Sequence, residues 1–232
     1  MQTYDVIVIG GGPGGTTAAR ILAQAGKKIA LIEDSHWGGT CLNAGCIPTK
    51  MLLGATAPQG LLHAQERVRI AKGSIQVDFT ALQNRVTRFT KGTSQTLAKS
   101  LAALGIDLFE GRGVCTGQNE GQTQVQVTTA QGPVSLAGTK IILACGTASA
   151  SFPGLVPDHQ NVLDSTDLLR ITAIPESLIV VGAGAIGLEM ADFFSAMGST
   201  VTIVEAAAHI APTEDADIAK EMLRALTKKG IA

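Results

Sequence analysis

The 232-residue sequence has no excess of either charge, no long apolar run and few cysteines, and each shortage removes a class of function. Lys and Arg number 18 against 19 Asp and Glu, for a net charge of −1, so the basic footprint required for binding a phosphate backbone is missing. Nucleic acid is not an expected partner. No apolar stretch approaches the roughly 20 residues of a membrane-spanning helix. The run Val6-Ile7-Val8-Ile9 is too short, and lacks the basic flank, for a signal peptide. A cytoplasmic protein with no membrane partner is expected. Four cysteines are too few for the disulfide framework of a secreted scaffold. In a reducing compartment a close pair such as Cys41 and Cys46 is more often catalytic or metal-binding. The 45% hydrophobic content is ample for one large domain or two modest ones.

Two stretches share one pattern. Tyr4 to Ile9 is apolar without alternation and runs into Gly10-Gly11-Gly12-Pro13-Gly14-Gly15, then a helical spacing of Ala18, Ile21, Leu22 and Ala25 closed by Gly26. A second apolar run, Ile29 to Ile32, ends in Glu33. The expected structure is strand, tight turn, helix, parallel strand. Gly10 permits the turn, Gly12 lets the backbone approach a pyrophosphate, and Gly15 lets helix and strand pack closely. The helix N-terminus offers N–H groups and a positive dipole end to the phosphates, and Glu33 would accept from a ribose hydroxyl. The second stretch places a strand at Leu178 to Val181, the turn Gly182-Ala183-Gly184-Ala185-Ile186-Gly187, a helix over Leu188 to Met197 closed by Gly198, and a strand from Val201 to Val204 ending in Glu205. Gly10, Gly12, Gly15 and Glu33 recur as Gly182, Gly184, Gly187 and Glu205, each 172 positions on (182 − 10, 205 − 33). Four coincident offsets argue for two dinucleotide-binding units rather than chance glycines. A carboxylate at Glu205 accepts from a free 2′-hydroxyl and repels a 2′-phosphate, and no Lys or Arg follows until Lys220, so the second unit is expected to take NAD rather than NADP.

Between the units lies Gly38-Gly39-Thr40-Cys41-Leu42-Asn43-Ala44-Gly45-Cys46-Ile47-Pro48-Thr49-Lys50, whose glycines and Thr40 read as a loop delivering the chain into a helix. Residues five apart on a regular helix are separated by about 140° around its axis, whereas a disulfide needs Cα atoms within about 7 Å. A bridge from Cys41 to Cys46 therefore requires a distorted first turn, which Gly45 and Pro48 would tolerate. Such a strained, accessible bridge is reducible, and a helix N-terminus together with Lys50 favours a thiolate. Two buried thiols, or half of a metal site, are the alternatives. Zinc needs two more closely spaced Cys or His, and Cys115, Cys145 and the four histidines are scattered, so no metal is expected.

Gly38 to Lys50 closely resembles the GGTCLNxGCIPxK signature of the pyridine nucleotide-disulfide oxidoreductases, and the resemblance spans essentially the whole chain. It takes in the first glycine turn, Ala144-Cys145-Gly146-Thr147, Pro175-Glu176-Ser177 and Gly182 to Glu189. Departures are small: Cys145 stands where Thr is usual, Thr49 where Ser is frequent and Ala44 where Val is usual. The resemblance implies an α/β, FAD/NAD(P)-binding Rossmann-like fold, a three-layer ββα sandwich with two nucleotide-binding units and incomplete at the C-terminus. Residues 1–150 would bind FAD and carry the redox-active disulfide, and 151–232 would form part of the NAD domain. FAD contacts are implied for Gly10, Gly12, Pro13, Gly14, Gly15, Glu33, Gly39, Thr40, Lys50, Gly113, Ala144 and Gly146. NAD contacts are implied for Gly182, Gly184, Ala185, Ile186, Gly187 and Glu205. Cys41 would exchange with a dithiol, Cys46 would face the flavin as the charge-transfer thiolate, and Lys50 would lie near flavin N5 and pair with Glu189. Electrons would pass from a dithiol such as dihydrolipoamide to the disulfide, FAD and NAD. A glutathione- or mercuric-reductase-like enzyme, or a non-catalytic nucleotide-binding remnant, are the alternatives.

The remaining sequence reads as scaffold. Leu82, Val86, Phe89, Leu97, Leu101 and Leu104 space a helix over Phe79 to Leu104, stopping at Gly105. Strand-like runs follow at 106–109, 123–129 and 140–144, and Gly146 to Asp164, with Pro153, Gly154 and Pro157, is the expected inter-domain connection. The chain stops at Gly230-Ile231-Ala232, where a third strand of the second unit would begin. The family's dimerisation domain, with its His-Glu acid/base pair, is not expected among these residues, because none of His36, His63, His159 and His209 has the required neighbours. The 232-residue chain alone is thus expected to turn over dithiols below the full rate, and a longer form to be a homodimer.

Overall fold

A computed structural model describes residues 1–150, 152 and 154–232; Pro153 of the expected connection lies outside the described residues. The chain divides into two compact units, residues 1–47 with 88–156, and 48–87 with 157–232. Residues 48–87 thus group with the second unit although they precede position 150.

In the first unit β1 (Gln2–Ile9) pairs in parallel with β2 (Ile29–Glu33), with Val6 opposite Ile29, and α1 (Pro13–Gln24) connects them. Both faces of these strands are covered, which is why their sequences are continuously apolar. Val6, Val8, Ile29 and Leu31 pack with Ala19 of α1 and with Leu101 of α4 (Phe79–Ala102). Ile7, Ile9, Ala30 and Ile32 face Val125, Val127 and Leu136. Those last three belong to β4 (Gln122–Thr129) and β5 (Gly132–Leu143), antiparallel neighbours completed by β3 (Asp107–Asn119). The result is helices, parallel strands and antiparallel strands in three layers.

Two long strands belong to both sheets. β3 pairs in parallel with β2 over Asp107 to Glu110 and then antiparallel with β4, and β5 pairs with β4 before running parallel to β1, closing a five-stranded ring. The sequence reading stops the first at 109 and starts the second at 140. The missing parts, 110–119 and 132–139, are rich in Gly and polar side chains, and cross-strand pairing rather than apolar pattern holds them in place.

The second unit repeats the theme. β6 (Ser177–Val181) and β7 (Thr200–Val204) are parallel, with Leu178 opposite Val201, and α6 (Ala185–Ala196) connects them. Phe193 and Phe194 of α6, both fully buried, pack with Leu52, Leu82, Val86, Leu168, Val201 and Ile231. Helix α7 (Ala216–Lys228), absent from the sequence reading, places Met222 and Leu226 against Leu188 and Ala183. Beyond it, Ala232 exchanges backbone hydrogen bonds with β7: Ile203 N–H donates to its carbonyl at 2.7 Å and its own N–H to Val201 at 3.1 Å. Further helices include α3 (Cys46–Arg67), which runs past the unexpected internal Pro58, and the short α5 (Ser165–Leu168), started by an Asp164–Asp167 capping box. Among the described residues no helix is long and apolar enough to cross a membrane.

Candidate nucleotide and dithiol sites

The first glycine turn is set by two demands. Gly10 has φ +112°, and a Cβ there would lie 2.1 Å from the Ala144 carbonyl oxygen; Gly15 has an ordinary backbone, but its Cβ would lie 1.8 Å from the Gly10 carbonyl. Only glycine lets α1 start against its own turn. Next to these, Gly12 and Gly14 face space: a Cβ at either meets nothing nearer than 3.7 Å. Gly12 is the N-cap of α1 and supplies no side-chain cap, no acidic residue occupies the first turn, and Pro13 stands at its start. An open cradle of uncapped amides at a helix dipole's positive end fits a pyrophosphate.

The second turn reproduces the helix-packing glycine and the open N-cap, while a Cβ at Gly182, unlike one at Gly10, would meet nothing within 4 Å. Gly182 has φ +101°, a Cβ at Gly187 would lie 2.0 Å from the Gly182 carbonyl, and nothing stands within 4 Å of one at Gly184. Gly184 caps α6 without a side chain, again with no acid in the first turn, and Ala185 and Ile186 open the helix. Both cradles fit the phosphates of a dinucleotide.

The acids closing each unit carry a role beyond the one read from sequence. Glu33 Oε2 accepts from Gly11 N–H at 2.7 Å and Oε1 from Ser35 N–H at 2.9 Å. Glu205 Oε2 accepts from Ala183 N–H at 2.7 Å and Oε1 from Ala207 N–H at 2.8 Å, the corresponding positions. Each carboxylate braces its turn and retains lone pairs for a ribose hydroxyl. The amides of Ala207, Ala183 and Ala206 hold the Glu205 carboxyl below the usual carboxylate range.

Gly39 and Thr40, expected in the loop, already lie in a helix, and that helix is broken between the cysteines. Gly39 and Thr40 start the single turn α2 (Gly39–Asn43), which holds Cys41; Ala44, at φ −149°, ends it; and Cys46 begins α3. The break supplies the departure from regular helix that the pair's spacing requires. A Cβ at Gly45 would lie 3.0 Å from the Thr40 carbonyl, so the two helices meet tightly there. Cys41 is half-buried and Cys46 exposed, and no disulfide links them in this structure.

This segment sits on the first glycine turn. Gly38 N–H donates to the Gly11 carbonyl at 2.8 Å, and a Cβ on Gly39 would lie 2.7 Å from Gly12 Cα. Gly10 to Gly15, Gly39 and Ala144 are therefore neighbours. A Cβ at Gly113 would meet Ile32 and Ile9, the latter the residue before the turn. Gly146 is exposed at φ +67° and has nothing within 4 Å of its Cβ position. In the second unit Lys50 and Glu189 form an ion pair. Trp37 is absent from the sequence reading. Its ring covers Gly11 and its Nε1 donates to Glu110 at 3.2 Å. As the sole tryptophan, and buried, it offered a signal that motif spacing does not capture.

Comparison with known proteins follows this arrangement along the chain. A dihydrolipoyl dehydrogenase of Chlorobaculum tepidum is 37% identical over 98% of this chain and 48% of its own length, and a leghemoglobin reductase of Glycine max is 37% identical over 98% and 43%. The chain thus spans about half the length of these curated relatives. Among solved structures, the HOCl-induced flavoprotein disulfide reductase RclA from Escherichia coli, as a Cu(II) complex, superposes on all of this chain and 48% of its own at a TM-score of 0.81 with 32% identity. LpdA from Mycobacterium tuberculosis shares the fold at a TM-score of 0.87 and 24% identity, over half of its chain. The duplicated turns and the cysteine helix lie inside the 4–232 match to the pyridine nucleotide-disulphide oxidoreductase model, and the chain belongs to that family.

Proposed function

We propose that this chain forms the FAD-, disulfide- and NAD-binding part of a flavoprotein disulfide oxidoreductase that passes two electrons between a dithiol, dihydrolipoamide by the dihydrolipoyl dehydrogenase relatives, and NAD. Residues 1–150 take FAD and those from 151 take NAD. The observation that carries the reading is the seating of the Cys41 helix on the first phosphate turn through Gly38, Gly39 and Gly12. Glu205, followed by Ala206-Ala207-Ala208 rather than by basic residues, supports NAD over NADP.

Bound FAD supplies the two-electron relay between the cysteine pair and the nicotinamide. The chain's own part is thiol–disulfide exchange. A substrate thiolate attacks Cys41 of an oxidised Cys41–Cys46 pair, forming a mixed disulfide and releasing Cys46 as the thiolate. The second substrate thiolate then displaces Cys41, leaving an oxidised substrate and a reduced pair, so two electrons have moved. Cys46, at the start of α3, is placed where the helix dipole favours the anion. Lys50, which the family resemblance assigns to the flavin, is paired with Glu189 within the second unit.

The test is to purify the chain with FAD and reduce it by two electrons. A yellow protein that gains a long-wavelength charge-transfer band, lost in C46S, is expected. Colourless protein, or a band that persists in C46S, refutes the reading.

A further inference from the structure

One buried carbonyl anchors the cysteine helix from two sides. The Trp37 carbonyl accepts from Ser94 Oγ at 2.8 Å and from Asn43 Nδ2 at 3.1 Å, and Asn43 Nδ2 also donates to Gly39 at 2.9 Å. Ser94 lies on α4, is 7% exposed, and is 57 residues from Trp37 along the chain. Asn43 is the last residue of α2, two places after Cys41. A single helical turn is not self-supporting, since nucleation is costly, so the geometry of α2 must be imposed from outside. Two of its external supports are Gly38 on the glycine turn and this shared carbonyl.

We propose that Ser94 is a positioning residue for the dithiol chemistry: by fixing the Trp37 carbonyl it holds Asn43, and through it the turn carrying Cys41, in the arrangement from which Cys41 and Cys46 can join. The inference rests on the redox role proposed above for that pair. Loosening α2 lowers the effective concentration of one sulfur at the other and moves the pair toward the dithiol. Ser94 donates to the Trp37 carbonyl, and it acts through Trp37 and Asn43.

The test is the equilibrium of the Cys41–Cys46 bridge in glutathione buffers, using the full chain with FAD and with Cys115 and Cys145 changed to Ser. Alkylation and mass spectrometry of the segment give the disulfide fraction, and emission of the single tryptophan reports whether Trp37 keeps its site. S94A is expected to shift the equilibrium about fivefold toward the dithiol, the size of one lost hydrogen bond, and S94T, which keeps the hydroxyl, to restore it. N43A should act in the same direction, and the double variant should fall short of the product of the two, because both donors share one acceptor. If S94A does not fold, the N43A shift decides. Wild-type bridging with an unmoved equilibrium in S94A, or in N43A where S94A does not fold, overturns the positioning role alone. A wild type that forms no bridge overturns the redox reading and this inference with it.

Discussion

Two alanine substitutions three residues apart in the second glycine turn should have opposite consequences. At Gly187 a Cβ would stand 2.0 Å from the Gly182 carbonyl and 3.2 Å from Val180 Cγ1, both within the strand–turn–helix unit and neither a flexible chain end. Overpacking of this kind costs about 1–3 kcal/mol, and the low-φ helical backbone returns up to about 1 kcal/mol through alanine's better helix propensity. Relief requires α6 to back away from β6, which disturbs the packing of Phe193 and Phe194, so the upper half of the range applies, about 2 kcal/mol net. For a chain of this size that is a fall in Tm of about 4–8 °C. At Gly184 nothing lies within 4 Å of the added methyl. Alanine is a poorer N-cap than glycine by a few tenths to about 1 kcal/mol, but the loss of unfolded-state freedom returns a similar amount. G184A should therefore melt within about 2 °C of wild type while a methyl fills the space proposed for phosphate, lowering NADH affinity at least tenfold. Differential scanning fluorimetry and NADH fluorescence titration read both effects. G187A melting with wild type, or G184A binding NADH undiminished, would refute the assignment of close packing to one glycine and ligand approach to the other.

Acid stability provides a second check. Because backbone amides depress the folded Glu205 pKa, its stabilising contribution is full above the unfolded value and is lost as pH falls through the folded one. E205Q should therefore lose stability at pH 7 yet show a shallower further decline between pH 5 and 3 in urea unfolding; parallel curves would contradict the bracing role. Phe194 is 0% exposed and packs edge-on to Phe193 with centroids 5.0 Å apart, so F194A should cost about 3–5 kcal/mol by urea denaturation, and a loss below about 1 kcal/mol would mean that α6 is not seated as described. Tyr4 is 3% exposed and its hydroxyl, with one proton to donate, lies 2.9 Å from Asp107 Oδ2 and 2.8 Å from Gln2 Oε1; burial and Asp107 hold its phenol far above the usual range, and Y4F should cost about 1–2 kcal/mol in the same assay, no change being the refuting result.

The local and periodic parts of this protein were legible in its sequence. Turn glycines answer to backbone sterics within a few residues, so Gly10 to Gly15 and Gly182 to Gly187 announced both turns, and doubly buried strands announced themselves as unbroken apolar runs. Repetition at a fixed offset then fixed the two acids, Glu33 and Glu205. Tertiary structure alone decided what depends on neighbours distant in the chain. Polar stretches of β3 and β5 are strands because β4, and for part of β5 also β1, pairs with them. Residues 48–87 join the second unit only because Leu52, Leu82 and Val86 pack with Phe193 and Phe194. The same holds at the sites: a carboxylate's preference for an amide 22 residues back, or a serine's for a carbonyl 57 residues back, leaves no periodic trace, because a hydrogen bond constrains two atoms and not a pattern.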